Sequence, residues 1–347
     1  MLNNLNLNPF SSPPTATEII DLLIYPIKSC RGISIKSSLL TTHGLDLDRR
    51  WMFVSGNDHR FITIRDNSNM TLIDTAFTTC KSPAESGSAD TEYLVISIKN
   101  TDQKVMVPAR PTEQWLKDNT TLKPVEIWDY KTDGYVYKDE INAIFCEFFN
   151  RDVKLVYKGP TPRMMRGNAA PAILGREEST NFPDVMSVLI ANEASLRELN
   201  QRLAKKGADE ITVERFRPNI IVRGKDEGNN EDTAPGAWAE DNWKRVRIVN
   251  KPNSGFLSTA LGSNGVDIDV QARCARCQVP NVNPETAEKN KHEPWDTLVS
   301  YRRIDEGIKW KPCFGMLSVP RADSHIAVGM RFEVLETTEN HKYMKGF

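Results

Sequence analysis

Two cysteines three residues apart, each preceded by an arginine, occupy the stretch Ala272-Arg273-Cys274-Ala275-Arg276-Cys277-Gln278-Val279-Pro280. A thiolate attacks electrophiles and ligates soft metals, and adjacent positive charge favours that form of the side chain. The pair by itself admits a redox disulfide, half of a zinc site, or two packed thiols. Zinc could recruit His292 and Cys313, but structural zinc uses two tight pairs and these residues are far apart in the chain. A redox pair belongs at a helix start after a strand, whereas Val279, Pro280 and Pro284 resist a helix here. Spacing disfavours both readings without removing either.

Basic residues elsewhere extend the picture. Lys28 lies in Tyr25-Pro26-Ile27-Lys28-Ser29-Cys30, Arg49 in Asp48-Arg49-Arg50-Trp51, Arg217 in Phe216-Arg217-Pro218-Asn219, and Arg276 beside Cys277. Each alone reads as a surface charge or an ion pair. All four at strand ends fit a pocket for a phosphorylated anionic ligand better, with a cysteine at its centre to ligate a soft metal. The P-loop, dinucleotide, nucleophile-elbow and H-E-x-x-H signatures are missing from the sequence.

Composition narrows the class. With 45 Lys and Arg against 46 Asp and Glu the net charge is −1, so nothing argues for a general nucleic-acid or membrane-surface binder, and any bound anion must be held by locally placed cations. Six cysteines in 347 residues are too sparse for a disulfide scaffold and predict reduced thiols in a cytosolic setting. Residues 1–27 contain neither Lys nor Arg, against a secretory or transit leader, and the apolar run 22–27 is too short to span a bilayer, so no membrane anchor is expected.

These residues need a scaffold, and the pattern for one is strand-rich. Short β-branched and aromatic runs at 18–27, 33–40, 51–55, 61–64, 93–98, 105–107 and 153–157, separated by turn signals, predict an antiparallel barrel or sandwich. Further strands are predicted at 219–222, 246–249, 266–270, 314–319 and 331–335. Helices are expected at 140–150, capped by Asp139 with Ile141, Ile144, Phe145 and Phe148 inward, and at 193–206, capped by Asn192 with Leu196, Leu199 and Leu203 inward and Gly207 ending it. Residues 81–91 and 225–233 read as surface loops, and 159–176 as a connector whose Arg163 and Arg166 line the site entrance. The expected organisation is a loose tail over 1–17, a first domain over 18–159 and a second over 160–347.

In chain order, Tyr-Pro-Ile-Lys-Ser-Cys-Arg-Gly (25–32), Asp-Arg-Arg-Trp-Met-Phe-Val (48–54), Thr-Ile-Arg-Asp (63–66), Asn-Glu-Ala-Ser-Leu (192–196), Phe-Arg-Pro-Asn-Ile (216–220), Arg-Cys (276–277) and Ser-Tyr-Arg (300–302) resemble the MOSC proteins, and among them the mitochondrial amidoxime-reducing component and its relatives. The resemblance implies a β-rich α+β protein, an N-terminal antiparallel β-barrel domain followed by a MOSC β-barrel domain with a few helices, binding molybdenum cofactor (Mo-molybdopterin) at their cleft. It implies Cys277 as the molybdenum ligand and catalytic residue, Lys28, Ser29, Arg49 and Arg217 as holders of the pterin and its phosphate, and Asp184, Ala275 and Arg276 as further cofactor contacts. Relatives carry hydroxyl residues where this chain has Val185 and Met186. The implied activity is reduction of N-hydroxylated compounds (amidoximes, hydroxylamines, N-hydroxylated bases, with nitrite a further candidate). Its electrons come from a partner, a b-type cytochrome with its NADH-dependent reductase. A non-catalytic cofactor-binding or carrier protein is the alternative. The expected compartment is the cytoplasm, with mitochondrial association by family resemblance.

Overall fold

The computed structural model describes residues 16–80, 90–226, 234–250 and 265–345. Its centre is a closed ring of seven strands: β1 (Ala16–Ile24), β15 (Ile220–Val222), β14 (Val188–Asn192), β18 (Cys313–Pro320), β17 (Val266–Ala275), β16 (Trp243–Val249) and β20 (Arg331–Thr337), which pairs back onto β1. All neighbours run antiparallel except β14 and β15, which are parallel. Alternate residues point inward: Ile19, Leu22 and Ile24 from β1 meet Ile190, Ile220, Ile248, Ile268 and Phe332, all fully or nearly fully buried. Burying each such side chain is worth about 1.5–3 kcal/mol, so this seam fixes the register of the ring. The closing strand is the first in the chain; Leu22 pairs with Ile220 almost two hundred residues later.

A second core lies beside the barrel. The sheet β5 (Trp51–Ser55), β11 (Val153–Lys158), β10 (Tyr130–Tyr137), β9 (Thr120–Ile127) and the meander β6 (Ile73–Cys80), β7 (Thr91–Ile98), β8 (Lys104–Pro108) enclose Trp51, Phe53, Leu94, Ile96, Phe145 and Leu155. The β-rich α+β class and the two successive barrel domains expected from the sequence are those of this chain.

Several elements differ from the sequence-based expectation. The run 33–40 is two strands, β2 (Ile33–Ile35) and β3 (Ser37–Thr41). Residues 61–64 form no strand; Phe61 makes a single bridge to Val54 while Ile62 and Ile64 pack into the second core. Strands β6, β9, β10 and β14 were not expected. The first three carry several polar residues each, Thr above all in β6 and β9, and β9 contains Pro124, which is tolerated because β9 is the sheet edge. In α2 (Asp139–Phe149) the cap is Lys138 without a side-chain bond, Asp139 sits in the first turn, and the buried face carries Asn142, Phe145 and Phe149. Asn142 faces inward because it serves three backbone groups, donating to Tyr137 O and Lys138 O and accepting from Leu155 N. In α4 (Glu193–Lys205) Asn192 caps as expected, accepting from Ala194 N at 3.0 Å. Of the tail over 1–17 only Ala16 and Thr17 are described, both in β1, and the loop residues 81–89 and 227–233 lie outside the described residues. Among the described residues no helix is long and apolar enough to cross a membrane.

Below the barrel end, Glu240 is buried completely. Its Oε2 accepts from Asn192 Nδ2 at 3.2 Å and Ser195 Oγ at 2.9 Å, while Oε1 has no partner. Burial, reinforced by the neighbouring Asp241 charge, pushes its pKa from 4.5 up to about 7. Asp241 is held in turn by Arg302, at 2.8 Å to each oxygen. The folded state therefore binds a proton that the unfolded chain releases. Glu240's stabilisation is complete below its unfolded pKa and lost as pH rises through about 7. Glu240→Gln, neutral at every pH, removes that loss. Between about pH 5 and about pH 8 the wild type is expected to lose up to roughly 3 kcal/mol more stability than the variant, read by denaturant unfolding. Equal losses would dismiss the assignment.

Candidate functional site

The cation cradle is built from the ends of two adjacent barrel strands. As β1 ends, the chain turns and bonds to the segment that opens β5: Lys28 N donates to Trp51 O at 2.8 Å, and Arg49 N to Tyr25 O at 2.9 Å. Buried Asp48 accepts from Tyr25 N at 2.8 Å and from Arg49 Nη1 at 2.8 and 2.6 Å, fixing the guanidinium. Arg217 enters from the turn before β15, and Arg49 Nη2 donates to its carbonyl at 3.0 Å. Both guanidiniums pack on the ring of Tyr25, with Cζ 4.4 Å (Arg49) and 4.2 Å (Arg217) from its centroid. Gly32 makes room for that ring; a Cβ there would lie 2.5 Å from Tyr25 Cε1.

Ser29, Arg49 and Arg217 have φ of 73°, 47° and 58°, in the left-handed region. A non-glycine residue there costs of order 1–3 kcal/mol and persists where its surroundings over-determine it. Three such residues in one cradle mark it as a place where geometry is held against local preference.

Cys277 arrives from the other side. The ladder between β17 and β18 shifts register between Val270 and Ala272 and again between Arg273 and Ala275, and Arg276 then leaves the sheet. Irregularities of this kind re-aim side chains at the rim of a barrel. Arg276 is spent on backbone carbonyls, donating to Phe314 O at 2.9 and 2.7 Å and to Phe216 O at 2.9 Å, which ties the cysteine segment to the Arg217 turn. Phe216 and Phe314 stack at 3.8 Å beneath this clamp.

Between the two sides stands Asp184. It pairs with Lys28 Nζ in a short contact, with Arg65 Nη2 at 3.1 Å, and accepts from Trp128 Nε1 at 3.3 Å. Enclosure disfavours its charge, but Lys28 and Arg65 outweigh it and hold the carboxyl well below the usual carboxylate range. Burial lowers the pKa of Lys28 to about 8 despite the pull of Asp184. For Arg65, enclosure is outweighed by Asp184 and by the thiol of Cys277, and its pKa is raised. Arg65 thus bridges the carboxylate and the cysteine.

These residues enclose one cavity of about 460 Å³. Its wall includes Lys28, Ser29, Arg49, Asp184, Arg217, Ala275, Arg276 and Cys277, so all eight site residues expected from the sequence come together. It also includes Arg65, Trp128, Arg215, Lys311 and Tyr343, which the sequence reading did not single out as site residues. Arg65 was within reach, since Thr-Ile-Arg-Asp stood among the resembling segments; Trp128 and Lys311 carried no sequence signal. Val185 and Met186 line the opposite wall with Leu189 and Leu317, where Cys274 packs among apolar neighbours and burial pushes its thiol pKa up. Arg163 does not line this cavity. It is buried and donates to the carbonyls of Asn181, Pro183 and Asp184 at 2.8–3.0 Å, which holds the Asp184 segment in place. Arg166 is exposed and packs on Tyr130.

The chemistry of the wall fits a phosphate-bearing, metal-carrying group. Seven Lys and Arg line it against the single carboxylate of Asp184. Arg217 Nη2 is buried without a protein partner, and burial, with the Arg49 charge adding to it, disfavours the Arg217 charge, so an anion would relieve both conditions. Among the described residues no cluster of three or more His, Cys, Asp or Glu is gathered to hold a bare metal ion; Cys277 is a single thiol donor beside an anion cradle.

The chain belongs to the MOSC-domain proteins: residues 16–152 match the MOSC N-terminal beta barrel domain and residues 177–333 the MOSC domain. It is 27% identical to mitochondrial amidoxime reducing component 2 of Bos taurus, over 86% of this chain and 77% of that one. It is 25% identical to mitochondrial amidoxime-reducing component 1 of Homo sapiens, over 90% and 81%. A molybdenum cofactor sulfurase of Oryza sativa subsp. japonica is 28% identical over 91% of this chain, which spans 34% of that longer protein.

The lowered pKa of Lys28 gives the cradle a pH signature. Below about 8 the ammonium is charged; above it the cavity loses one positive charge and anion affinity falls. Inorganic pyrophosphate titrated into cofactor-free protein is expected to bind more weakly by up to about tenfold per pH unit above about 8. Lys28→Met binds weakly throughout and lacks that step. Calorimetry across the range checks it; a flat wild-type profile would count against the assignment.

Proposed function

We propose that this protein is a molybdenum-cofactor-dependent reductase of N-hydroxylated compounds. The observation that carries the reading is the cysteine thiol on the wall of a cavity lined by seven cations. Arg49, Arg217, Lys28 and Ser29 bind the cofactor's phosphate and pterin, and the Cys277 thiolate ligates the molybdenum. Arg276 fixes the cysteine segment, and Arg65 keeps a positive charge beside the sulfur. The bound group supplies a two-electron redox step at an N–O bond. For an amidoxime the balance is two electrons and two protons taken up, the N–O bond broken, and an amidine and water released. The apolar wall of Val185, Met186, Leu189 and Leu317 limits water on the side away from the cradle.

The similarity to proteins named amidoxime-reducing components supports this substrate class. On this reading the electrons come from a b-type cytochrome with its NADH-dependent reductase, and the names of these relatives favour mitochondrial association. The similarity to a molybdenum cofactor sulfurase favours a second reading, a module that binds or carries the cofactor without turnover.

Metal analysis and turnover separate the two. Protein from a cofactor-competent host is expected to carry molybdenum and to reduce benzamidoxime with dithionite-reduced methyl viologen. Cys277→Ala is expected to lose activity by at least about a hundredfold, whereas Cys274→Ala keeps it within about threefold. Molybdenum without turnover would leave the carrier reading; no molybdenum would sink both.

A further inference from the structure

The mouth of the cavity is flanked by a surface that is both apolar and basic. Ile308, Lys311 and Tyr343 line the cavity from two segments that touch: Asp305 Oδ1 accepts from Gly307 N at 2.9 Å and Tyr343 N at 2.8 Å, and a Cβ on Gly307 would lie 2.0 Å from Tyr343 O. Trp310 on the first segment is 81% exposed, and Ile304 on the same segment and Met344 on the second are exposed too; these are three of the six large apolar side chains exposed among the described residues. Around them Arg303, Lys309, Lys311, Lys342 and Lys345 are all exposed, against two exposed carboxylates on the same stretches, Glu306 and Glu339. Among the described residues none of these five cations makes an ion pair.

A basic rim around an exposed indole is the composition of a transient protein interface. Aromatic and arginine contacts give affinity, and unpaired charge steers a partner of opposite sign. Its position adds the chemistry. On the proposed function, on which this inference rests, electrons must reach the cavity from outside, and the chain carries no ferredoxin-type cysteine spacing or nicotinamide fingerprint of its own. We propose that the surface formed by residues 303–311 and 341–345 docks an acidic one-electron-donor protein over the cavity mouth. Two successive encounters supply the two electrons that N–O cleavage consumes, the protons coming from water. A flat anionic membrane would meet the same charges, but it would also cover the mouth through which substrate enters, which favours a small partner that associates briefly.

The test compares two donors on the holoenzyme. Turnover of benzamidoxime is measured with an acidic soluble b5-type cytochrome plus its reductase, and separately with dithionite-reduced methyl viologen, which needs no docking. Trp310→Ala and the double variant Lys309→Glu/Lys342→Glu lie outside the cavity wall. They are expected to lose about tenfold or more of the cytochrome-driven rate, and the wild type's fall in that rate with added salt is expected to flatten in the double variant. The viologen-driven rate stays unchanged. Unchanged rates with both donors, or an equal loss with both, would overturn the docking surface while leaving the reductase intact. Binding of the wild type to phosphatidylserine vesicles, lost in the double variant without any donor-specific change, would assign the surface to membranes instead. A wild type inactive with viologen would overturn the proposed function itself, and the docking surface with it.

Discussion

Everything at the cavity depends on the barrel being closed by its first strand. Buried Asn219 makes the closure specific: its side chain donates to Leu23 O and accepts from Leu189 N, while its backbone carbonyl accepts from Leu23 N and its N–H donates to Leu189 O. One side chain thus joins β1, β14 and the start of β15. The turn after β1 carries Tyr25, Lys28 and Ser29, and the turn before β15 carries Arg217. Their meeting is a consequence of strand pairing, because loop closure over so long a separation is repaid only by the buried seam.

With the strands fixed, like charges are forced together. Arg49 and Arg217 share the face of one tyrosine environment, and Asp48 is engaged with Arg49. The protein tolerates this arrangement, with three left-handed residues, at the cost of local strain. It leaves a buried guanidinium nitrogen without a partner, as expected where a ligand completes the hydrogen bonding. The opposite wall is assembled by other means: Arg276 binds carbonyls of β18 and the Arg217 turn, and Arg163 binds carbonyls around Asp184. Arginine serves both tasks because its planar fork reaches several oxygens at once.

Two of the segments that resemble the family lie outside the cavity and support it. Asn192 and Ser195 hold Glu240, and Arg302 holds Asp241 beneath Phe314, with Trp238 packed on the Arg302 guanidinium at 3.8 Å. The neutral-favouring environment of Glu240 is part of that support. A motif can therefore mark a stable floor as readily as a reacting wall.

The strand-rich class and the helix capped by Asn192 were legible in the chain because β-periodicity and capping chemistry are local, and the eight residues that line one cavity were legible from short residue patterns and the family resemblance those patterns carry. The sequence did not disclose β9 and β10, whose Pro124, Gly134 and many polar residues mask an edge and its neighbour. Nor did it separate Arg163, which holds backbone, from Arg65, which faces Cys277: both are arginines in short irregular stretches of sequence, and only their tertiary neighbours tell them apart. The Cys-x-x-Cys spacing treated its two thiols alike. The register shifts of β17 set Cys277 beside Arg65 and leave Cys274 among apolar side chains, and a shift of register exists only when a partner strand is present to count against.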